Sequence, residues 1–232
     1  RPPHGRRCVL RALFAAHLGA GHDESVTPII LGMGTWARSD AWHRHGSPLW
    51  NALEAKGFTP IEFLWSGYCG GVPSPVIVPD ISDIKPSLEL WRSESEKLSL
   101  FCRAIGLDCP SVIAHSHFLQ IVSFAAAGTA FVPFQRFDTV LSLAGPVRED
   151  MRMVRERARD HILRWIQVTD PDGDMRIREG QAFDGHLGWR YALPEADVNI
   201  SAPGTGHSGL LDDLSKWDTL GLWTALDSLA VP

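Results

Sequence analysis

The stretch that decides the fold is Ser111-Val112-Ile113-Ala114-His115-Ser116-His117-Phe118-Leu119-Gln120. A short apolar strand runs into Ser116, and an apolar helical stretch follows at once. A serine on a sharp turn between a strand and a helix is typical of a nucleophile elbow, in which the turn lifts the hydroxyl above the sheet. Ser116 is therefore the candidate nucleophile, and the backbone N–H of His117 is a candidate donor to a developing oxyanion.

The residues around the serine keep this pattern only in part. Strand and helix pass close together at an elbow, so small residues are usual two positions before and two positions after the serine. Ala114 meets this requirement, whereas Phe118 does not. We expect the ring of Phe118 either to push the helix away or to line the substrate pocket. The alternative interpretation is a core strand that ends in an unremarkable serine.

Outward from this segment, short apolar runs alternate with helical stretches along the chain. Unbroken apolar runs of this length indicate strands buried on both faces of a parallel sheet, and the segments between them are long enough for crossover helices. The runs span residues 28–31, 58–65, 111–114, 139–144, 165–169 and 197–201. The helical stretches span residues 9–18, 48–56, 88–105, 147–161 and 214–229.

The pattern predicts one doubly wound α/β domain over residues 25–232, with a mostly parallel sheet of six or more strands flanked by helices. Residues 1–24 form an N-terminal extension or helix. Only about twenty residues separate the fourth and fifth runs, so we expect no large cap domain there. Residues 175–195 are long enough to form a small lid instead.

A serine nucleophile needs a base that takes its proton and a carboxylate that orients the base. In this fold class the acid precedes the base, and both follow the serine. His207 lies in the glycine-rich loop Gly204-Thr205-Gly206-His207-Ser208-Gly209, directly after the last predicted strand. We therefore expect His207 to be the base.

Three carboxylates compete for the acid role in the loop after the fifth strand. They are Asp170, Asp172 and Asp174, and we favour Asp174 because it stands three residues before the apolar anchor Ile177. The same cluster is also compatible with a solvated loop tip or a weak cation site. Its spacing falls short of a twelve-residue calcium loop.

The loop after the first strand, Gly32-Met33-Gly34-Thr35-Trp36, has the features of an oxyanion loop. Gly34 permits close backbone approach, and the N–H of Thr35 is the second candidate oxyanion donor. Trp36 is a candidate for lining an acyl pocket. A phosphate-binding loop is a poor alternative, because neither a following Lys-Ser/Thr nor the dinucleotide glycine pattern is present.

The charge and the cysteine content of the chain limit the kinds of partner and the cellular location that it is expected to have. The net charge of −5, without a Lys/Arg block, argues against nucleic acid as a partner, and no run is long enough to span a bilayer. Four scattered cysteines are typical of a cytoplasmic protein. Secretion stays open, because the sequence begins at Arg1 and a removed signal peptide leaves no trace. The oligomeric state is not readable.

No cofactor or metal is expected. A metal hydrolase would draw on the ligand-like pairs His43-x-His45 and His115-x-His117. However, a turn at Ser116 sends His115 and His117 in different directions, and no separate carboxylate cluster completes a ligand set.

Taken together, these motifs resemble the serine α/β-hydrolases, the esterase and lipase superfamily. The segment 33–38 resembles a His-Gly-Thr-Trp-Ala-Arg oxyanion motif with Met33 in place of the His. The segment 114–117 resembles a His-Ser-His elbow, with Phe118 and Leu119 where Gly-Gly is common, and 206–211 resembles the base loop. The resemblance spans residues 28–211.

The resemblance implies a carboxylic ester hydrolase acting on a small-molecule ester through an acyl-enzyme, with a Ser116–His207–Asp174 triad. Amide or thioester hydrolysis on the same triad is an alternative. A catalytically inactive binding protein of the same fold is another, and Phe118 is the residue that favours it.

Overall fold

The structure, a computed structural model, describes residues 27–34, 42–65, 87–178 and 190–227. The predicted extension 1–24 and its helix at 9–18 lie outside these residues. The oxyanion candidate Thr35, the acyl-pocket candidate Trp36 and most of the predicted lid also lie outside them.

Six parallel strands form one sheet in the order β2-β1-β3-β4-β5-β6. All six predicted strands are present, which confirms the α/β class. Their bounds are Thr27–Gly32 (β1), Phe58–Phe63 (β2), Ser111–His115 (β3), Phe137–Leu143 (β4), Ile162–Thr169 (β5) and Val198–Ser201 (β6).

Helices cover both faces of this sheet. The helices are Pro48–Ala55 (α1), Leu88–Ala104 (α2), Phe118–Ala127 (α3), Arg152–Ala158 (α4), Gly209–Asp212 (α5), Ser215–Thr219 (α6) and Leu222–Asp227 (α7). Short 3-10 turns, Glu149–Met151 and Arg159–His161, flank α4. This short helical segment fills the junction between β4 and β5, where the sequence predicts no cap domain. None of the helices within the described ranges is long and apolar enough to cross a bilayer.

Successive residues of a strand point to opposite faces, so each strand supplies two cores. Val112 and Ala114 of β3 pack under α2, α3 and α4. Ile113 packs on the other face with α1 and the C-terminal helices. Every residue of β3 is buried, which explains the apolar run from Val112 to Ala114 within it.

Two predicted helices differ from those observed. The helix expected at 147–161 begins only at Glu149, because Val147 pairs with Arg190 in an isolated antiparallel bridge. The C-terminal helix expected at 214–229 is broken in two, because Gly221 adopts a left-handed φ of 66° between α6 and α7. Glycine reaches that conformation at little steric cost and ends helices for this reason.

Phe118 reaches its place in the core because Gly32 has no side chain. The Phe118 side chain is 0% exposed, and its ring lies 5.8 Å from the Phe63 ring. A Cβ added at Gly32 would lie 1.9 Å from Phe118 Cε1. The ring is thus a buried contact between α3 and β1, where the sequence leads us to expect either a displaced helix or a ring that lines the substrate pocket.

This packing predicts that Gly32→Ala destabilises the fold by about 2 kcal/mol or more, because overpacking a tight core typically costs 1–3 kcal/mol. Urea unfolding measures the loss. Gly209→Ala is the matched control, since a Cβ there meets only Thr205 Cβ at an ordinary 3.6 Å. The Phe118→Ala substitution should cost less in the Gly32→Ala background than alone. Equal stability of Gly32→Ala and Gly209→Ala would contradict this account.

Candidate active site

The turn between β3 and α3 holds Ser116 in a strained conformation. Its φ is 54°, one of two positive values at non-glycine residues within the described ranges. Such backbone strain costs on the order of 1–3 kcal/mol and persists only where the surroundings enforce it. Here the Ser116 N–H donates to Leu143 O at 2.9 Å, and the Leu119 N–H donates to Ser116 O at 3.2 Å. Strand β4 and helix α3 therefore fix the elbow that the sequence predicts.

His117 follows the serine as the residue that caps α3. Its backbone lies in the helical region, with φ −64° and ψ −12°. The first N–H groups of a helix have no partner within the helix, and the positive end of the helix dipole lies there. The start of α3, with the positive end of its dipole, thus lies next to Ser116.

The loop after β1 reaches the serine through Gly34. A Cβ added at Gly34 would lie 2.5 Å from Ser116 Cβ, 3.0 Å from Ser116 Oγ and 3.3 Å from His115 Nδ1. Only glycine allows the backbone to come this close. The carbonyl preceding Gly34 is fixed as well, because Trp65 Nε1 donates to Met33 O at 2.7 Å.

Of the three competing carboxylates, the structure places Asp174 against the His207 ring. His207 Nδ1 lies 2.9 Å from Asp174 Oδ2 and 3.1 Å from Oδ1. A carboxylate only accepts hydrogen bonds, so Nδ1 donates, and in the neutral form of the ring the lone pair lies on Nε2. The Asp174 side chain is fully buried, whereas that of His207 is 21% exposed.

The spacing that favoured Asp174 has a local cause. Its Oδ1 accepts the N–H groups of Arg176 and Ile177, at 3.0 and 3.1 Å. Ile177 is fully buried, so the turn is anchored in the core while the carboxylate faces the base loop. The Asp172 side chain is exposed. Asp170 is buried and binds backbone N–H groups.

The two histidines beside Ser116 contact different elements. The His115 ring lies 4.9 Å from the His207 ring, and the His117 ring stacks on Trp91 at 5.3 Å. Burial, followed by the charge of Arg148, lowers the pKa of His117 to about 3, so that ring is neutral. No group of three or more potential metal-ligating side chains comes together in the parts of the chain that the structure describes.

Several residues contribute to this site in ways that the sequence does not indicate. His115, Asp170, Trp65 and Trp91 each contact a site residue or loop that lies at least 26 positions away along the chain. Of these, only Asp170 lies within a segment that the sequence singles out for the acid role. His115 lies within the elbow motif, where it has no assigned role, and Trp65 and Trp91 resemble ordinary core residues before the fold is known.

Comparison with known proteins identifies the fold. No protein-family model matches the sequence, and neither does any curated protein. Solved structures do resemble it. One, described as a predicted CIB-like hydrolase from Thermoplasma acidophilum, has 12% sequence identity and a TM-score of 0.53, over 88% of this chain and 86% of that one.

A second similar structure comes from work on carboxylesterases of the ammonia-oxidizing thaumarchaeon Nitrososphaera gargenis. It has 11% sequence identity and a TM-score of 0.51, over 88% of this chain and 92% of that one. At these identities the likeness establishes the fold alone. The fold is the α/β-hydrolase fold.

Proposed function

We propose that this protein is a serine hydrolase that cleaves small carboxylic esters through an acyl-enzyme on Ser116. The observation that carries the proposal is the buried Asp174 carboxylate on His207 Nδ1, in the loop that contacts the elbow of Ser116. The α/β-hydrolase fold and a carboxylesterase among the similar structures support the same chemistry.

In this mechanism Ser116 Oγ attacks the ester carbonyl carbon while its proton passes to His207 Nε2. The Asp174 carboxylate stabilises the resulting imidazolium. The N–H groups of His117 and Thr35 bind the oxyanion. Collapse of the intermediate expels the alcohol, which takes the proton from His207. Water then attacks the acyl-enzyme in the same way, with His207 as the base, and the carboxylic acid is released from Ser116. Thr35, and Trp36 as a lining of the acyl pocket, remain predictions from the sequence.

The proposal is preferred over an inactive binding protein because Phe118 no longer favours the latter. The ring fits against Gly32 without displacing the strained Ser116 turn. Amide and thioester hydrolysis would use the same residues, and an activated ester is the least demanding test substrate for all three.

An acid-quench experiment with p-nitrophenyl acetate tests the proposal. We expect one acetyl group per chain, mapped by mass spectrometry to the peptide that contains Ser116, and hydrolysis that is insensitive to chelators. Turnover by folded protein without an acyl adduct, or turnover abolished by EDTA, would exclude the acyl-enzyme route.

Gly34→Ala should lower kcat by about a hundredfold or more, because the new Cβ would lie 2.5 Å from Ser116 Cβ and force the oxyanion loop away. Losing one oxyanion donor typically costs 10²–10³ in kcat. Steady-state hydrolysis of p-nitrophenyl acetate measures the effect, and thermal unfolding checks that the variant is folded. A folded Gly34→Ala enzyme with kcat within threefold of wild type would refute this placement of the loop.

A further inference from the structure

Two buried side chains bind the backbone of the base loop at consecutive residues. His115 Nε2 lies 3.0 Å from His207 O. Asp170 Oδ2 accepts the Gly206 N–H at 2.9 Å. His115 and Asp170 are 5% and 0% exposed. They lie on either side of the site, at the end of β3 and directly after β5.

We propose that His115 and Asp170 are positioning residues that together clamp the base loop, so that the His207 ring is held against Asp174. The proposal rests on the proposed function of His207 as the base. Neither residue is assigned a contact with the reacting atoms. Both act through the backbone at residues 206 and 207, and Asp170 acts also through the backbone at residues 172–174.

His115 supplies the clamp from the serine side. A carbonyl oxygen only accepts hydrogen bonds, so Nε2 of His115 must carry the proton that is donated to His207 O. Burial, reinforced by the nearby His207, lowers the pKa of His115 to about 3. The ring is therefore neutral at working pH, and it places no second positive charge 4.9 Å from a His207 ring that takes up the serine proton.

This hydrogen bond connects the strand that carries the nucleophile directly to the loop that carries the base. His115 is the residue before Ser116, and its ring holds the peptide of His207. A shift of the base loop therefore stretches a hydrogen bond to the very strand that presents the serine. A misplacement of about 1 Å in such a site can cost about a hundredfold in rate.

Asp170 supplies the clamp from the acid side. Its Oδ1 accepts the N–H groups of Gly173 and Asp172, at 2.8 and 3.2 Å, while its Oδ2 accepts that of Gly206. Burial acts to raise the pKa of Asp170, but the backbone N–H groups of Gly206, Gly173, Asp172 and Thr205 together hold it below its usual value. The ionised carboxylate thus joins the acid loop to the base loop.

Gly173 shows how tightly this junction is built. A Cβ added there would lie 2.3 Å from Asp170 Oδ2, so a larger residue would displace the carboxylate. The Asp174 N–H also donates to Asp170 O at 3.0 Å. One residue therefore sets the positions of both the acid and the loop that carries the base.

Conservative variants separate a clamp from a general packing role. Glutamine places an amide nitrogen near the position of His Nε2, so His115→Gln keeps the donor, whereas His115→Leu removes it. With p-nitrophenyl acetate we expect His115→Leu to lose about 30- to 100-fold in kcat, with KM within about threefold of wild type, and His115→Gln to recover most of the loss.

Asp170→Asn should lose a similar factor despite its near-identical shape. An asparagine has one oxygen, so its NH₂ group must face the N–H donors of one of the two loops. Asp172→Asn is the matched control, because it makes the same chemical change on an exposed side chain of the same loop. We expect its kcat to stay within about twofold of wild type.

Amide hydrogen exchange on the same variants measures how firmly the base loop is held, independently of activity. Exchange across residues 203–208 should accelerate at least tenfold in His115→Leu and Asp170→Asn, stay near wild type in His115→Gln and Asp172→Asn, and remain unchanged in β3, β4 and β5. If the variants show this exchange pattern but the wild-type protein shows no Ser116-dependent hydrolysis, the proposed function is refuted and the clamp still stands. The clamp is overturned if the wild-type enzyme is active but His115→Leu keeps the kcat and the loop exchange of the wild type. It is also overturned if His115→Gln is no more active than His115→Leu.

Discussion

Ser116→Ala is expected to lower kcat for p-nitrophenyl acetate by about 10⁴-fold or more, the scale seen when a triad nucleophile is removed. The substitution deletes only Oγ. Alanine has the same Cβ as serine, so the strained backbone at φ 54° is unchanged. The backbone hydrogen bonds of residue 116 with Leu143 O and with the Leu119 N–H are unchanged as well. The loss should therefore appear in turnover without a matching loss of stability.

Steady-state kinetics and thermal unfolding on the same preparation make this comparison. Ser123→Ala is the matched control, since Ser123 is a buried serine of α3 whose Oγ donates only to Leu119 O. We expect Ser123→Ala to keep kcat within about threefold of wild type. Ser116→Ala activity within tenfold of wild type would rule out Ser116 as the nucleophile.

Asp174→Asn should lower kcat by about 10⁴-fold, the cost of fixing the base in the wrong tautomer. The geometry predicts how this happens. Arg176 and Ile177 donate their N–H groups to Oδ1, so an asparagine would keep its oxygen there and place its NH₂ at the Oδ2 position, 2.9 Å from His207 Nδ1. Nδ1 would then accept, and Nε2 would carry a proton and lose its capacity to take one from Ser116.

Kinetics of the three Asp→Asn variants distinguish the acid from its neighbours. Asp174→Asn should lose the most, Asp170→Asn an intermediate factor through the clamp, and Asp172→Asn almost nothing. An Asp172→Asn variant that loses more than Asp174→Asn would contradict the placement of the acid.

The fold was predictable from the sequence because strand periodicity is a local property. The central strands β3, β4 and β5 are mostly buried and kept their apolar runs, whereas the last run was expected to be buried and forms the largely exposed edge strand β6. The turn that places Asp174 against His207 was predictable for a similar reason, since a carboxylate three residues before a buried anchor caps its own turn.

What the sequence did not reveal depends on contacts between distant segments. Phe118 seemed to break the elbow because its complement, Gly32, lies on another strand. The sequence considers Asp170 as a candidate acid and His115 as part of the elbow motif, but it does not indicate that they hold the base loop, because that loop lies 36 and 92 positions away. Gly221 was missed as a helix break because a glycine inside an apolar periodic pattern is only a weak stop signal.

Labelling with a fluorophosphonate tests the central claim most directly, because this reagent reacts with a serine only when a base and an oxyanion hole activate it. We expect wild-type protein to gain one adduct per chain, mapped to Ser116, with labelling lost in Ser116→Ala and slowed at least a hundredfold in His207→Ala. Folded wild-type protein that gains no adduct, or that carries the adduct on another residue, would contradict the account.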